Sequence, residues 1–319
     1  MEGNSVLVLL SSYIVEKYIE QQIESLLAQT GVDITILIRD DGSSDHTLEI
    51  VEKMFKGTRH IFFKGDNVGP ALSFYNLMKL AFEKYNQFEY FAFCDQDDIW
   101  HNDKLLTAIS TMRTTEKNAN ACKKLYFCSS DIINESSQKI ASSSKRYFNN
   151  IDYRMCFHRN PALGCTMVFN FKLLCECMKI WDYIQSPSFD KRYLPMHDAW
   201  MFCVANFTNT QIFADKKEKI HYRIHNLNVT ASHKSILQRV RNIFVRRMFD
   251  KPHYGKKVAR IVLENVLVND QNRKLFLVLL SSGKKDIISV FKRLFSVKLS
   301  GEIFPIRVFY YFLIVINRY

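Results

Sequence analysis

The sequence predicts an α/β fold, a mostly parallel sheet flanked by helices, with a C-terminal helical extension. Two patterns predict the sheet. Short apolar runs alternate with segments of helical spacing, and the first four lead within three residues into small polar or acidic residues. The extension follows from charge: residues 1–233 hold 26 Lys+Arg against 27 Asp+Glu, whereas 18 against 5 lie from Lys234 onward.

Val6 to Leu10 reads as a strand covered on both faces, ending at Ser11-Ser12. Ile19, Ile23, Leu26 and Leu27 predict a helix from about Glu16 to Gln29, closed by Gly31. Ile34 to Ile38 is a second strand, running into Asp40-Asp41-Gly42-Ser43-Ser44-Asp45, which can cap the helix of Leu48, Val51 and Met54. Ile61 to Phe63 empties into Gly65-Asp66-Asn67-Val68-Gly69, and Pro70 suits the first turn of a helix carrying Leu72, Tyr75, Leu77 and Leu80. Tyr90 to Phe93 leads into Asp95-Gln96-Asp97-Asp98-Ile99-Trp100. A helix over Leu105–Arg113 and a strand over Leu125–Cys128 come next, then a serine-rich loop from Ser136 to Asn150. Leu163 to Phe169 returns to strand character, Leu173 to Tyr183 is an aromatic, apolar segment, and a helix begins at Met196-His197-Asp198-Ala199-Trp200.

Three carboxylates within four residues, Asp95, Asp97 and Asp98, suit either a solvated turn or a site where a divalent cation with a polyphosphate offsets their charge. Right-handed crossovers put every parallel strand's C-terminal end on one edge, so Ser11, Tyr13, Asp40, Asp41, Asn67 and the three acids should line one crevice. That convergence favours the site.

The 319 residues, 47% hydrophobic, supply a core for one large domain or two. Eight cysteines without a CxxC pair suit free thiols in a reducing compartment. Neither a signal peptide nor an apolar run long enough for a membrane span is expected.

Seven motifs stand in order: the strand to Ser11-Ser12-Tyr13, Asp40 to Thr47, Asn67-Val68-Gly69, Asp95 to Trp100, Gly164-Cys165-Thr166, His197-Asp198-Ala199-Trp200 and Tyr222-Arg223-Ile224-His225-Asn226. From Val6 to about Thr230 the chain thereby resembles family-two inverting glycosyltransferases, within them the bacterial rhamnosyltransferase-like enzymes of polysaccharide synthesis. The resemblance implies the Rossmann-like type A glycosyltransferase fold and divides the chain into a nucleotide-sugar-binding catalytic domain, residues 1–232, and a basic, amphipathic helical region, 233–319.

It also implies roles. Asp41 would accept the imide N–H of a uracil or thymine ring, flanked by Ser11 and Tyr13, with Asn67 closing the pocket. Asp40 is either a helix cap or a second base or ribose contact. Asp95 and Asp97 match the DxD pair: Asp97 would coordinate Mn2+ or Mg2+, and Asp95 the ribose or a metal-bound water. Asp98 would support the metal or cap the next turn, and Trp100 would be core or sugar-facing. Asp198 would be the general base that makes the acceptor hydroxyl attack with inversion, with His197 orienting it or touching the acceptor. His225 would reach the metal or the diphosphate, and Arg223 would neutralise phosphate. The donor would be a UDP- or dTDP-sugar and the acceptor a surface polysaccharide or polyprenyl-linked glycan. Ala199 departs from the His-Asp-Trp-Trp form common in these transferases, which loosens the inference about the acceptor.

The basic tail, with Arg239, Arg241, Arg246 and Arg247 among apolar residues, suits a helix lying on an anionic membrane, peripheral at the inner face of the cell membrane from the cytoplasm. The alternative is a helical subdomain that covers the crevice or joins two copies in a homodimer. A nucleic-acid-binding protein would explain the tail but not the carboxylate-lined edge. A homologue that binds nucleotide sugar or glycan without turnover is opposed by the intact Asp41, Asp97 and Asp198.

Overall fold

The structure, a computed structural model, describes residues 4–114, 123–142, 148, 160–225 and 254–266. Strands β1 (Ser5–Ser12), β2 (Asp33–Asp40), β3 (His60–Lys64) and β4 (Tyr90–Cys94) form the parallel half of one sheet, in the order β3-β2-β1-β4. Helices α1 (Ile19–Leu27), α2 (Thr47–Met54) and α3 (Pro70–Lys84) connect them. Apolar alternation splits β1 between two cores. Leu7 and Leu9 face α3, whereas Val6, Val8 and Leu10 face α1 and α2.

Beyond β4 the sheet is mixed. It continues as β8 (Met167–Asn170), β6 (Lys123–Ile133), β9 (Thr210–Arg223) and the two-residue β5 (Ile99–Trp100), with β7 (Lys139–Ser142) beside β6. β8 is antiparallel to both β4 and β6, β9 is parallel to β6, and β5 is antiparallel to β9. Helices α4 (Lys104–Arg113), α5 (Phe171–Met178), α6 (Trp181–Gln185) and α7 (His197–Phe207) complete the body. Asn170 caps α5 by accepting from the Leu173 N–H at 3.2 Å.

Three expectations need correction. Helix α1 starts at Ile19 rather than Glu16 because the preceding backbone is tied elsewhere: the N–H groups of Ile14, Val15 and Glu16 donate to Ser43 Oγ, Thr47 Oγ1 and Asp45 Oδ2 at 2.9, 2.9 and 3.1 Å. Residues 164–166 form a 3₁₀ turn instead of the start of a strand, since the Leu163 carbonyl accepts both the N–H and the hydroxyl of Thr166. Part of the expected serine-rich loop is strand β7, because Asn134 Oδ1 accepts from the N–H groups of Ser136 and Gln138 and turns the chain back on β6.

Of the basic tail, helix α8 (Tyr254–Asn265) is described. Val258, Ile261, Val262 and, just past its end, Val266 are buried in the core that holds α5 and α7. At least this part of the extension therefore packs on the body. The arginine cluster at 239–247 and the apolar end from Ile303 lie outside the described residues. Among those described, no helix is long and apolar enough to cross a membrane.

Candidate active site

The strand ends do meet. Register places Ser12 beside Asp40, and the Ser12 hydroxyl donates to Asp40 Oδ2 at 3.0 Å. Asp40 also accepts from the N–H groups of Gly42 and Ser43 and from the Ser43 hydroxyl, at 3.0, 2.8 and 2.6 Å. Its roughly four acceptor positions are thereby filled, so this fully buried acid builds the corner rather than touching a ligand. Gly42 turns that corner at φ 86°.

Asp41 holds the next loop. Its carboxylate accepts from the Val68 and Gly69 N–H groups at 3.0 and 2.9 Å and forms an ion pair with Arg39. Arg39 also donates to Ser73 Oγ and to the Asp66 carbonyl, both at 2.9 Å, and Ser73 shares a 2.6 Å hydrogen bond with Ser11. A side chain at Gly65 would run into the Arg39 guanidinium. Asn67 is exposed, its Oδ1 accepting from Gly69 N–H at 3.1 Å. Tyr13 is 41% exposed at the rim, its backbone bracketed by Gln96, which accepts from the Tyr13 N–H at 2.5 Å and donates to its carbonyl at 3.2 Å.

At the acidic turn, Asp97 Oδ2 and His225 Nε2 share a 2.6 Å hydrogen bond across 128 positions of sequence. The His225 ring lies against Tyr18, centroids 5.0 Å apart. Burial, then the charges of Asp97 and Asp198, push the Asp95 carboxyl up to about 7, and burial together with Asp97 holds Asp98 well above the usual carboxylate range. Beneath them lies fully buried Lys104. It donates to the Cys165 carbonyl at 2.7 Å, rests 3.0 Å over the Trp100 ring and is lowered by burial to about 8.

Asp198 opens α7 in the charge field of Asp95. It accepts from the Ala199 N–H at 2.7 Å and the Gly164 N–H at 3.2 Å, yet burial leaves its carboxyl raised, toward the range useful to a base. Gly164 is needed here because a Cβ would sit 2.6 Å from His197 Nε2. His197 turns inward, stacked on Phe74 at 3.7 Å and edge-on to Phe93 at 4.5 Å. Burial pushes its imidazole down to about 3. The native state thus resists protonating it: the stability this contributes is complete above pH 6.5 and is lost as pH falls toward 3, at about 1.4 kcal/mol per unit. Between pH 7 and 5 the wild type should lose about 2 kcal/mol more than His197→Met in urea unfolding. Parallel profiles would contradict this.

The expected roles of Arg223 and His197 change, and burial decides between the alternatives left open for Trp100 and Asp98. Arg223, assigned to phosphate, is 1% exposed, and its guanidinium is engaged by protein groups. Its backbone N–H donates to Asp98 Oδ1 at 3.0 Å, and its guanidinium donates to the carbonyls of Asp97 and Glu135, to Ser137 Oγ and to Gln21 Oε1 at 2.9, 3.2, 2.9 and 2.6 Å. It clamps the acidic turn from below. Trp100, 1% exposed, is core and not sugar-facing. His197 is too deep to touch an acceptor and makes no described hydrogen bond to Asp198. Asp98 is fully buried and anchors the end of β9 instead of lining the crevice. Arg39, Ser73, Gln96 and Lys104 belong to the site's framework and were not singled out from sequence. Lys104 had a signal: it shares helical spacing with buried Leu105, Ala108 and Met112.

The donor set fits a hard divalent cation. Asp97 and His225 offer an oxygen and a nitrogen at one point, and the crowded acids favour any cation that enters. Donor atoms of Asp95, Asp98 and Cys165 also lie within 4.8 Å of one another. Burial and the nearby acids keep the Cys165 thiol protonated, a poor ligand for such a cation.

Residues 7–177 match the family model described as "Glycosyl transferase family 2". The chain is 29% identical over 266 residues, 82% of its length and 85% of the relative's, to the dTDP-rhamnosyl transferase RfbG of Shigella flexneri. It is 34% identical over 110 residues to the UDP-Glc:alpha-D-GlcNAc-diphosphoundecaprenol beta-1,3-glucosyltransferase WfaP of Escherichia coli, covering 34% of this chain and 41% of that one. S. aureus TarS 1-349, solved with UDP-GlcNAc, superposes with a TM-score of 0.57 at 15% identity, over 99% of this chain and 89% of TarS. The mannosyltransferase PcManGT of Pyrobaculum calidifontis, solved with GDP-Man and Mn2+, gives 0.54 at 11% identity, over 98% and 86%. Both structures are likenesses of fold.

Proposed function

The chain belongs to glycosyl transferase family 2 and is a glycosyltransferase, and from that premise we propose that it transfers a deoxyhexose of the rhamnosyl kind, with inversion, from a dTDP- or UDP-sugar to a surface polysaccharide or lipid-linked glycan. Similarity to RfbG along most of both chains supports the rhamnosyl reading. The observation that carries the mechanism is the meeting of Asp97 with His225 at the edge where Asp95 and Asp198 also lie.

In this reading Asp41, with one acceptor position left after Val68, Gly69 and Arg39, takes the imide N–H of the base. Ser11 and Tyr13 flank the base, and Asn67 closes over it. Asp97 and His225 would hold Mn2+ or Mg2+, and Asp95 would orient the ribose or a water on the cation. When bound, the cation neutralises the charge that develops on the leaving diphosphate. Asp198, its backbone hydrogen bonds fixing the carboxylate, takes the proton of the acceptor hydroxyl as that oxygen attacks the anomeric carbon.

The test is thermal stabilisation by a panel of nucleotide sugars with Mn2+, in the wild type and Asp97→Asn. A dTDP- or UDP-sugar should raise the wild-type melting temperature by several degrees, and the substitution should remove the Mn2+-dependent part. No stabilisation by any donor would defeat the proposal. We further place the enzyme at the cytoplasmic face of the membrane, docked through the basic tail. Replacing Arg239, Arg241, Arg246 and Arg247 by glutamine in the full chain should abolish co-sedimentation with anionic vesicles, and undiminished sedimentation would refute the docking.

A further inference from the structure

A second cluster of candidate metal-binding side chains, which includes neither Asp97 nor His225, lies at the β5–β9 edge of the sheet. It combines His101, just past β5, with Asp131 of β6 and His221 of β9. Strand pairing puts them together: His221 is in register with Asp131 on one side and with Ile99 on the other, and the His101 N–H donates to the Lys219 carbonyl at 3.1 Å. One donor atom from each lies within 4.8 Å of the others.

The cluster is poorly satisfied by protein groups alone. The two rings meet face to tilted face, centroids 4.5 Å apart at 54°, with no hydrogen bond between them. His101 Nε2 and His221 Nδ1 are sealed from solvent and have no hydrogen-bond partner among the described residues. Unpaired buried nitrogens of this kind cost free energy unless something fills the gap. Asp131, 6% exposed, has one oxygen 3.5 Å from His221 Nδ1 and the other 2.6 Å from Lys139 Nζ. That lysine is 58% exposed along its side chain, so the cation that neutralises Asp131 is free to swing into water. The His221 ring is 35% exposed, which leaves an entry path.

From these observations we infer that His101, Asp131 and His221 form a second metal site, one that takes a zinc-class divalent cation with a water as fourth ligand. Two imidazoles and one carboxylate suit Zn2+, whereas Mg2+ and Mn2+ prefer all-oxygen or carboxylate-rich sets. Binding draws the donor atoms inward and displaces Lys139. The site ties β5, β6 and β9 together two residues before Arg223, whose clamp holds the acidic turn. It is a structural brace for β9, independent of which sugar the enzyme transfers.

The experiment uses the untagged full-length chain, stripped with chelator and dialysed against Zn2+ alone, with bound metal counted by mass spectrometry. An Asp97→Asn background removes the donor-site cation, and the wild type is measured beside it. One zinc per chain should persist in Asp97→Asn. Affinity should fall by at least 10–100-fold on adding His101→Gln or His221→Gln, since losing a ligand costs no less than losing an outer-shell partner. Lys139→Ala should tighten binding, a result that a loss of folding cannot mimic. Co2+ in place of zinc should show the intense visible absorption of a four-coordinate site. Absence of zinc from both wild type and Asp97→Asn overturns the inference, as does equal retention by either histidine variant or no tightening by Lys139→Ala.

Discussion

Asp198→Asn should lower the turnover of sugar transfer by about 10²–10⁴-fold, the usual contribution of a positioned general base. Donor binding should be almost unchanged, because the residue faces the acceptor hydroxyl in the proposed reaction. The amide keeps the carboxylate's shape, and its oxygen still accepts from the Ala199 N–H or the Gly164 N–H, so the head of α7 stays in place. Unfolding by urea should therefore shift by less than about 1 kcal/mol. A loss in turnover smaller than tenfold, with the fold intact, would remove Asp198 from the base's role. A large loss accompanied by unfolding would mean that its two backbone hydrogen bonds are its main work.

Arg223→Met is expected to act on the other coordinate, stability. The substitution removes a guanidinium that donates to the Asp97 and Glu135 carbonyls, to Ser137 and to Gln21, and it leaves those acceptors in a region where Arg223 itself is 1% exposed. Leaving such a network half-made costs about 3–5 kcal/mol. The methionine retains much of the volume against the Tyr18 ring, which the guanidinium covers at 4.8 Å, so lost packing is a minor part. Chemical denaturation reads the loss directly. A residue that only neutralised phosphate would give the opposite signature: unchanged stability with a raised KM for the donor. Arg223→Lys should fall between, retaining charge but not the planar fork that spans several acceptors.

Much of the parallel half was legible in the sequence because its strands are buried on both faces. Val6–Leu10 and Tyr90–Phe93 are uninterrupted apolar runs for that reason, and their polar ends mark the crevice. Asp41, Asp97, His225 and Asp198 stand out because carboxylates and imidazoles at strand ends and helix starts are costly unless used. Partnership was much less legible. Nothing local to Tyr222-Arg223 announces that the arginine turns back toward a hairpin built by Asn134 and Ser137, so its charge suggested a phosphate. Arg39 was hidden by its neighbours: the acids at Asp40 and Asp41 draw attention, while the arginine that pairs with Asp41 reads as the end of a strand. The antiparallel insertion of β8 between β4 and β6 was also unreadable, because the parallel rule for strands separated by helices has no local marker where it stops applying. His197 shows the limit of a motif: its place beside Asp198 suggested the acceptor, yet its ring lies against Phe74 and Phe93 in the core.

The pairing of β5 with β9 fixes an order of events during synthesis. The acidic turn leaves the ribosome well before its partners, since Asp97 waits 128 residues for His225 and Asp98 waits 125 for the backbone of Arg223. At elongation rates of about 5–20 residues per second, that interval is roughly 6–25 seconds. A nascent chain during that time has the corner at Asp40 and Asp41 but neither the clamp nor the histidine. Truncated or stalled products consequently lack the Asp97–His225 contact, and in the proposed reaction such a chain would be unable to hold the donor's diphosphate.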